Sequence, residues 1–167
     1  MSTLEIICYP DNSLKVPTKP VTSFDEHLQK QVDDLFDTMY EDNACGLAAN
    51  QVGQTQSVFV MDASRDGSAP LCFINPEIIA EQGIITSEEG CMSFPGVYTK
   101  VKRAKIITVR FQNPKGEFQE LTLEGLASHC VQHESDHLSG ILFIDRLSGL
   151  KKSRLLKKLA KINQFQD

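Results

Sequence analysis

Residues 133–137, with the sequence HESDH, carry the side chains best suited to metal chemistry. On an α-helix, side chains four positions apart lie on one face, so His133 and His137 can present two imidazoles to one metal ion. Glu134 occupies the usual place of the general base in metal-assisted hydrolysis. Asp136 lies at a similar angle on the other side of the helix, but its arm is shorter. The spacing predicts a hydrolytic metal site with Glu134 as base; the alternative is a surface helix with two solvated histidines.

The third metal ligand must be sought elsewhere in the chain. A catalytic zinc-like site needs three protein ligands and one open position for water. No histidine and no glutamate follow His137, so we expect the third ligand to come from upstream. The candidate is Cys91 in EEGCMSFPG, residues 88–96, where glycine and proline predict a tight bend. A coordinated thiol ionises, and a Cys-His-His site suits iron(II) or zinc.

Hydrophobic periodicity predicts the elements that must position these residues. Apolar residues at helical spacing predict a first helix from near Phe24 to Tyr40, with a capping box of Ser23 and Glu26. Segments with strand character follow at residues 57–62, 71–76, 105–112 and 117–124. The last two flank the turn sequence NPKG, which predicts a β-hairpin.

The metal-binding segment itself is predicted to be a helix from about Gly125 to Ser139, ended by Gly140. From Leu147 onward, leucines at helical spacing alternate with lysine and arginine, which predicts a basic C-terminal helix over residues 147–167. The predicted fold class is α+β, with mostly antiparallel strands around a central metal-binding helix, an N-terminal helix and a C-terminal helix. A chain of 167 residues is expected to form a single domain, residues 1–167.

The composition, 41% hydrophobic and 23% charged, is ordinary for a globular protein. A net charge of −5 argues against a general attraction to DNA or anionic membranes. Neither a membrane-spanning stretch nor a secretory signal pattern is seen, so we expect a cytoplasmic protein. Five scattered cysteines argue against a disulfide framework. Cys8 and Cys72 lie in apolar runs and are expected to be core residues.

Three segments resemble the signature segments of the peptide deformylase family: ACGLAANQVG at 44–53, EEGCMS at 88–93 and QHESDHLSG at 132–140. They occur in the order and at the separations typical of that family. The resemblance implies a metal-dependent hydrolase that removes the N-formyl group from the formylmethionine of newly synthesised polypeptides and releases formate. It also implies one ion per chain, iron(II) in the cell, with zinc or nickel as replacements.

The resemblance implies roles for individual residues. The metal ligands would be Cys91, His133 and His137. Glu134 would take the proton of water and return it to the leaving amine. The side-chain amide of Gln51 and the backbone N–H of Met92 would donate to the developing oxyanion. Read without the family, Gln51 is simply a polar loop residue.

Further residues would contact the substrate or support the metal site. By position, the substrate-binding residues would be Cys45, Gly46, Leu126, His129 and Cys130. Gly46 would let the peptide main chain pair strand-fashion with its segment. The residues that support the site would be Glu89, Arg103, Gln132 and Asp136. Read without the family, Glu89 and Arg103 would be a surface acid and a surface base.

The sequence departs from the commoner family pattern near the expected substrate pocket. Ala44 and Asn50 stand where glycine and proline are usual, Cys45 replaces an aliphatic residue, and Met92 replaces leucine. His129 would weaken an apolar pocket for methionine unless its imidazole turns outward. These departures leave the metal ligands intact. They keep open the alternative of a divergent paralogue that acts on other N-acyl peptides.

Two other functions remain to be weighed. A metallopeptidase built on the same helix motif would need a downstream third ligand, which the sequence lacks. A non-catalytic zinc module would need a fourth protein ligand, for which Cys45 or Cys130 are the candidates. Beyond nascent peptides, we expect no DNA or membrane partner and a monomeric protein. The basic C-terminal helix predicts either contact with the ribosome or a solvated helix packed on the domain.

Overall fold

The computed structural model describes residues 3–164. Its α-helices are α1 (Glu26–Glu41), α2 (Leu126–Leu138) and α3 (Gly149–Gln164). Its strands are β1 (Gly46–Ala48), β2 (Val58–Asp62), β3 (Pro70–Gln82), β4 (Ile85–Gly90), β5 (Tyr98–Arg103), β6 (Ile106–Gln112) and β7 (Phe118–Glu124). Short 3₁₀ helices span Asn12–Lys15, Ala49–Val52 and Phe143–Arg146. The predicted C-terminal helix is α3, and residues 165–167 of that prediction lie outside the described residues.

The strands form a five-stranded antiparallel sheet in the order β1-β2-β3-β6-β7 and a separate β4-β5 hairpin. The α+β class and the hairpin of β6 and β7 are confirmed. Sequence reasoning missed β1, β4 and β5, and β3 is longer than predicted. β4 and β5, ITSEEG and YTKVKR, contain few apolar residues, so they show no hydrophobic period.

Helix α1 begins two residues later than a Ser23–Glu26 capping box would place it. The carboxylate of Asp25 accepts a hydrogen bond from the backbone N–H of Leu28, so Asp25 is the N-cap and the predicted box is wrong. The apolar stripe of the helix is buried: Leu28, Val32, Leu35 and Met39. This stripe covers one face of the sheet at β1 and β2.

Strand β2 is buried along its whole length because helices cover both of its faces. Val58 and Val60 belong to the core under α1, whereas Phe59 and Met61 belong to the core under α2. This alternation is what period-2 strand geometry requires. Helix α2 is thereby held against the sheet beside β1 and β2. The predicted metal-binding helix therefore lies in the interior, as expected.

Two features determine how α2 ends and what lies beyond it. Gly140 has a φ of +75°, and a Cβ at this position would overlap the backbone carbonyl of Lys15. The predicted glycine stop is therefore confirmed. Farther on, Leu155 and Leu159 of α3 are buried in a third core with Phe94 and Phe143. The basic residues on the outside of α3 are exposed: Lys151, Arg154, Lys157, Lys158 and Lys161.

The free cysteines occupy different environments. Cys8 is exposed, so its assignment to the core is wrong; its apolar run forms no strand or helix that could bury it. Cys72 in β3 is half-buried and packs against the α1 core. Within residues 3–164, no helix combines the length and apolar character needed to cross a membrane.

Candidate metal centre

The three predicted metal ligands converge. One ligand atom each from Cys91, His133 and His137 lies within 4.8 Å of the others, and Cys91 Sγ is 3.4 Å from His137 Nε2. The histidines are one turn apart on α2, and Cys91 follows the end of β4. One sulfur and two imidazole nitrogens form a donor set that suits iron(II) or zinc. Three protein ligands with an open fourth position are the arrangement of a catalytic site.

Glu89 orients the imidazole of His133. Its Oε1 lies 2.8 Å from His133 Nδ1, and because an ionised carboxylate only accepts, Nδ1 must donate and Nε2 is left for a metal. Arg103 donates to the same carboxylate from Nε at 2.5 Å and Nη2 at 3.0 Å. Burial would raise the pKa of Glu89, but the hydrogen bonds from His133 and Arg103 lower it to about 2. Glu89 therefore remains an anion at neutral pH.

Asp136 and Gln132 fix α2 to its surroundings through side-chain hydrogen bonds with other segments of the chain. Asp136 accepts hydrogen bonds from Arg103 at 3.0 Å and from Arg146 at 2.7 Å. Gln132 accepts from the backbone N–H of Ala104 at 3.0 Å and donates to its carbonyl at 2.8 Å. Sequence reasoning missed Arg146, and no signal in its local sequence marks it.

Two residues from the segment after β1 also contact the centre. Asn50, a departure from the family pattern, donates from Nδ2 to the backbone carbonyl of His137 at 2.5 Å. Gln51 is buried, with Nε2 3.4 Å from Cys91 Sγ and 3.1 Å from Ser93 Oγ. Its Oε1 accepts from the backbone N–H of Ala48 at 3.0 Å, which leaves the amide N–H groups directed toward the centre. Sequence reasoning did not predict the contact of Asn50 with a metal ligand.

Glu134 lies beside the ligands in a contrasting environment. Its Oε1 is 3.8 Å from His133 Nε2, and its buried Oε2 has no hydrogen-bond partner among the described residues. Burial raises the pKa of Glu134 to about 7, although the charge of His133 opposes this effect. A carboxyl group with such a pKa can both accept and release a proton near neutral pH.

The centre opens into a cleft of about 630 Å³. All the predicted catalytic and substrate-binding residues line it: Gln51, Met92, Glu134, Cys45, Gly46, Leu126, His129 and Cys130. Glu89 and two of the predicted metal ligands, Cys91 and His133, also border it. Arg103, Gln132 and Asp136 border a different depression.

Gly46 lies where β1 and α2 approach most closely. A Cβ at this position would be 2.7 Å from Cys130 Sγ and 3.0 Å from Glu134 Cγ, so a larger residue would displace α2 side chains. Strand β1 is the outer strand of the five-stranded sheet, so its second edge has no strand partner among residues 3–164. An extended peptide could pair with such an edge.

The imidazole of His129 is buried and does not turn outward. Its Nδ1 lies 3.0 Å from Ser87 Oγ and 3.2 Å from Glu89 Oε2. These two partners satisfy Nδ1, whereas Nε2 lies 3.5 Å from the same Ser87 hydroxyl. Leu126, in contrast, is exposed at the rim. Sequence reasoning missed Ser87, whose contact with His129 bridges 42 positions of the chain.

Neither candidate for a fourth protein ligand joins the metal-ligand group. Among the described residues, that group contains Cys91, His133 and His137 alone. The Cys130 sulfur lies 3.6 Å from the sulfur of Cys45. The geometry therefore favours a site with an open position over a closed structural zinc site.

Comparisons with known proteins agree with this geometry. A family model described as Polypeptide deformylase matches residues 3–153. The peptide deformylase of Neisseria gonorrhoeae is 49% identical over 161 residues, which cover 96% of each chain. Peptide deformylase 1 of Shewanella oneidensis is 44% identical over 161 residues, with the same 96% coverage of both. A crystal structure of a peptide deformylase from Legionella pneumophila superposes with a TM-score of 0.94 at 42% identity, covering 99% of this chain and 98% of that one. The chain belongs to the peptide deformylase family.

Proposed function

We propose that this chain hydrolyses the N-formyl group of formylmethionine at the N-terminus of newly made polypeptides and releases formate. The observation that carries the proposal is the convergence of Cys91, His133 and His137 beside the buried Glu134 carboxyl, with Cys91, His133 and Glu134 bordering one cleft. Family membership supports the same activity. The whole chain, residues 1–167, would act as one catalytic domain.

Proton transfer is the role we propose for Glu134. When bound by Cys91, His133 and His137, a divalent ion supplies Lewis acidity toward the formyl oxygen and lowers the pKa of a coordinated water. Glu134 takes a proton from the attacking water as the new carbon–oxygen bond forms. It returns that proton to the amine nitrogen as the carbon–nitrogen bond breaks. The unpartnered Oε2 and the raised pKa of Glu134 suit both steps.

Gln51 and Met92 would stabilise the negative charge that develops on the formyl oxygen. The buried Gln51 amide is fixed by Ala48 and lies next to Cys91, so it is oriented before substrate arrives. Met92 borders the cleft immediately after the metal ligand Cys91, which suits its backbone N–H as a second donor. Removal of one such donor typically lowers the rate on the order of a hundredfold.

The substrate would bind along β1 with its methionine side chain in the cleft. The free edge of β1 supports main-chain pairing at Gly46. Cys45, Cys130 and Leu126 offer sulfur and aliphatic surface that suits a thioether side chain. His129 is held by Ser87 and Glu89, so its Nδ1 does not have to be satisfied by the substrate.

Formate release from a short N-formylmethionyl peptide tests the proposal. The protein is purified without oxygen and loaded with iron(II), and N-acetylmethionyl and free-amine peptides are assayed in parallel. We expect turnover with the formyl peptide and its loss in a Glu134→Ala variant that retains metal. Preferred hydrolysis of the acetyl peptide would indicate a divergent N-acyl specificity. Cleavage of an internal peptide bond would instead indicate a metallopeptidase.

Iron(II) is the ion we propose for the cell, with zinc or nickel as replacements and one ion per chain. The mixed sulfur and nitrogen donor set accommodates all three, so the choice depends on availability as well as on affinity. Metal analysis of protein purified without oxygen tests this choice. An occupancy near one iron per chain is expected, and a full complement of zinc would contradict it.

We also propose that the protein is cytoplasmic and monomeric, and that it contacts the ribosome through α3. The exposed bases of α3 support it, while buried Leu155 and Leu159 mean that deleting the helix would damage the core. Charge reversal at Lys151, Arg154 and Lys158 avoids that damage. We expect this variant to lose cosedimentation with ribosomes. Charge reversal at three exposed lysines in or just after β5 serves as the matched control: Lys100, Lys102 and Lys105.

A further inference from the structure

The cleft contains a pair of thiols that the proposed reaction does not use. Cys45 Sγ and Cys130 Sγ lie 3.6 Å apart, although the residues are separated by 85 positions. Both border the cleft, so a small solute that enters it can reach them. Cys45 is half-buried and Cys130 is buried, which places Cys45 nearer to solvent. Neither belongs to the metal-ligand group.

The two thiols differ in chemical character. The hydrogen bond with Cys130, assisted by the nearby charge of Arg65, lowers the pKa of Cys45 to about 6 against the effect of burial. The same hydrogen bond, together with burial, raises the pKa of Cys130. An accessible thiolate beside a protonated thiol is the arrangement found in redox-sensitive cysteine pairs.

We propose that Cys45 and Cys130 form a reversible disulfide when the protein meets a peroxide, and that this bond closes the cleft to substrate. The sulfur of Cys45 attacks the peroxide, so that a sulfur–oxygen bond forms, the oxygen–oxygen bond breaks and one water leaves. The sulfur of Cys130 then displaces the second oxygen as water, with its own proton, and the sulfur–sulfur bond forms. Two thiols are oxidised by two electrons, and the peroxide is reduced to two waters.

The consequence for the cleft follows from the packing around Gly46. A disulfide requires the sulfur atoms to approach from 3.6 Å to about 2.05 Å. Space is already short there, because a Cβ on Gly46 would be 2.7 Å from Cys130 Sγ and 3.0 Å from Glu134 Cγ. Closing the bond requires a movement of Cys45, which directly precedes β1, or of the Cys130 side chain on α2. Because the Gly46 backbone lies close to both Cys130 and Glu134, we expect this movement to disturb the proposed peptide-pairing segment or the proposed base.

The test uses nickel-loaded holoenzyme, because iron(II) would itself react with the oxidant. After treatment with stoichiometric hydrogen peroxide, free thiols are alkylated and the linked peptides are identified by mass spectrometry. We expect a Cys45–Cys130 link with a loss of two hydrogens. We also expect formate release to fall on the order of tenfold or more, since displacements near 1 Å have such effects, and to recover with dithiothreitol.

Variants separate this bond from damage to the metal ligand Cys91. Each variant is compared with its own reduced state: Cys45→Ala and Cys130→Ala should keep their turnover after peroxide, whereas Cys72→Ala should respond like the parent protein. Absence of the link, or a link without loss of turnover, would overturn the proposal. An equal loss of turnover in Cys45→Ala and Cys130→Ala would do the same. The effect on turnover rests on the proposed function, whereas peptide mapping detects the bond even in a protein that releases no formate.

Discussion

The two ring nitrogens of His133 each lie near a glutamate. These two glutamates differ in how fully hydrogen bonds and ion pairs compensate their charges. At Nδ1, Glu89 accepts hydrogen bonds from His133 and Arg103, which lower its pKa to about 2 against the effect of burial. At Nε2, Glu134 keeps one buried oxygen without a hydrogen-bond partner among the described residues, and burial raises its pKa to about 7. One glutamate is therefore held as an ion, and the other lies close to its titration point.

This difference separates the residues that hold the His133 imidazole in place from the residue we propose for proton transfer. Glu89, Arg103 and Asp136 form a chain of buried ion pairs whose partners constrain one another. Such a chain fixes an imidazole accurately, but its members cannot easily exchange protons. Glu134 lacks these partners and can exchange protons for the same reason. The pKa values of the two glutamates beside the His133 imidazole are thus shifted in opposite directions, because their surroundings differ.

The largest effect is expected from Glu134→Gln, which removes the proton acceptor on the reactive side. We expect kcat/KM for formate release to fall by about 10²–10⁴-fold, the usual contribution of general acid–base catalysis. Metal content should be unchanged, because His133 and His137 keep their positions. The free energy of unfolding should be unchanged or higher, since a neutral amide is easier to bury than a carboxylate. A loss below tenfold would assign the proton transfer to another group.

On the Nδ1 side of His133, Glu89→Gln should weaken metal binding and lower the free energy of unfolding. The loss of the anion leaves the buried Arg103 with less compensation and His133 with a weaker acceptor. We expect the free energy of unfolding to fall by about 3–5 kcal/mol and metal affinity to fall about 10–100-fold. Denaturant unfolding and equilibrium dialysis measure the two effects.

The neighbouring residue provides a matched control for that variant. Glu88 is exposed and lies one position away on β4. Glu88→Gln should leave stability and metal affinity unchanged. If the two substitutions had equal effects, the ion pairs of Glu89 would not be what holds His133 in place.

Asp62 offers a second comparison, because it is a buried, hydrogen-bonded carboxylate whose side-chain partners do not include the predicted metal ligands. It accepts hydrogen bonds from Tyr40 Oη at 2.7 Å and from the backbone N–H of Gly67 at 3.1 Å. Burial would raise the pKa of Asp62, but its hydrogen bonds with Ser64 and Tyr40 lower it below the usual value of 3.8. We expect Asp62→Asn to lower the free energy of unfolding by about 1 kcal/mol at pH 7. Metal content and turnover should remain unchanged.

The stability that Asp62 contributes should depend on pH in a definite direction. A carboxylate with a lowered pKa in the folded state contributes stability above its unfolded pKa, and this contribution is lost as pH falls through the folded pKa. The difference in unfolding free energy between the parent protein and Asp62→Asn should therefore shrink toward zero as pH falls below 3.8. Unfolding curves recorded from pH 7 down to pH 3 measure it. A gap that widened on acidification would contradict the assignment.

The smallest effect is expected from Arg146→Ala, at the outer end of the ion-pair chain. The Arg146 side chain is 46% exposed, whereas the Arg103 side chain is 3% exposed, although both contact Asp136. Solvent screens the outer pair, so we expect a loss of at most about 1 kcal/mol, and less at high salt. Thermal unfolding at two salt concentrations tests this. A larger loss that did not depend on salt would show that Arg146 behaves as a buried partner.

The sequence by itself determined the local part of the site. His133 and His137 share a helix face because of helical periodicity, which needs no tertiary information. The helix stop at Gly140 and the hairpin of β6 and β7 are local in the same sense. Cys91 was inferred as the third ligand because no suitable ligand follows His137 and because it lies in a predicted tight bend. The roles of Gln51 and Met92 depended on the resemblance to a family, because no local rule relates these residues to a distant helix.

Only the tertiary structure decided which buried carboxyl groups have hydrogen-bond and ion-pair partners and which lack them. Glu89 and Glu134 are the same residue type, and their pKa values diverge because of partners up to 44 positions away. The contacts of Asn50 with the His137 carbonyl and of Cys45 with Cys130 span 87 and 85 positions. Hydrogen bonding and burial depend on distances in space, and separations of this size leave no trace in a local pattern. The sequence therefore indicated the reaction, whereas packing shifts the pKa values of Glu89 and Glu134 in opposite directions.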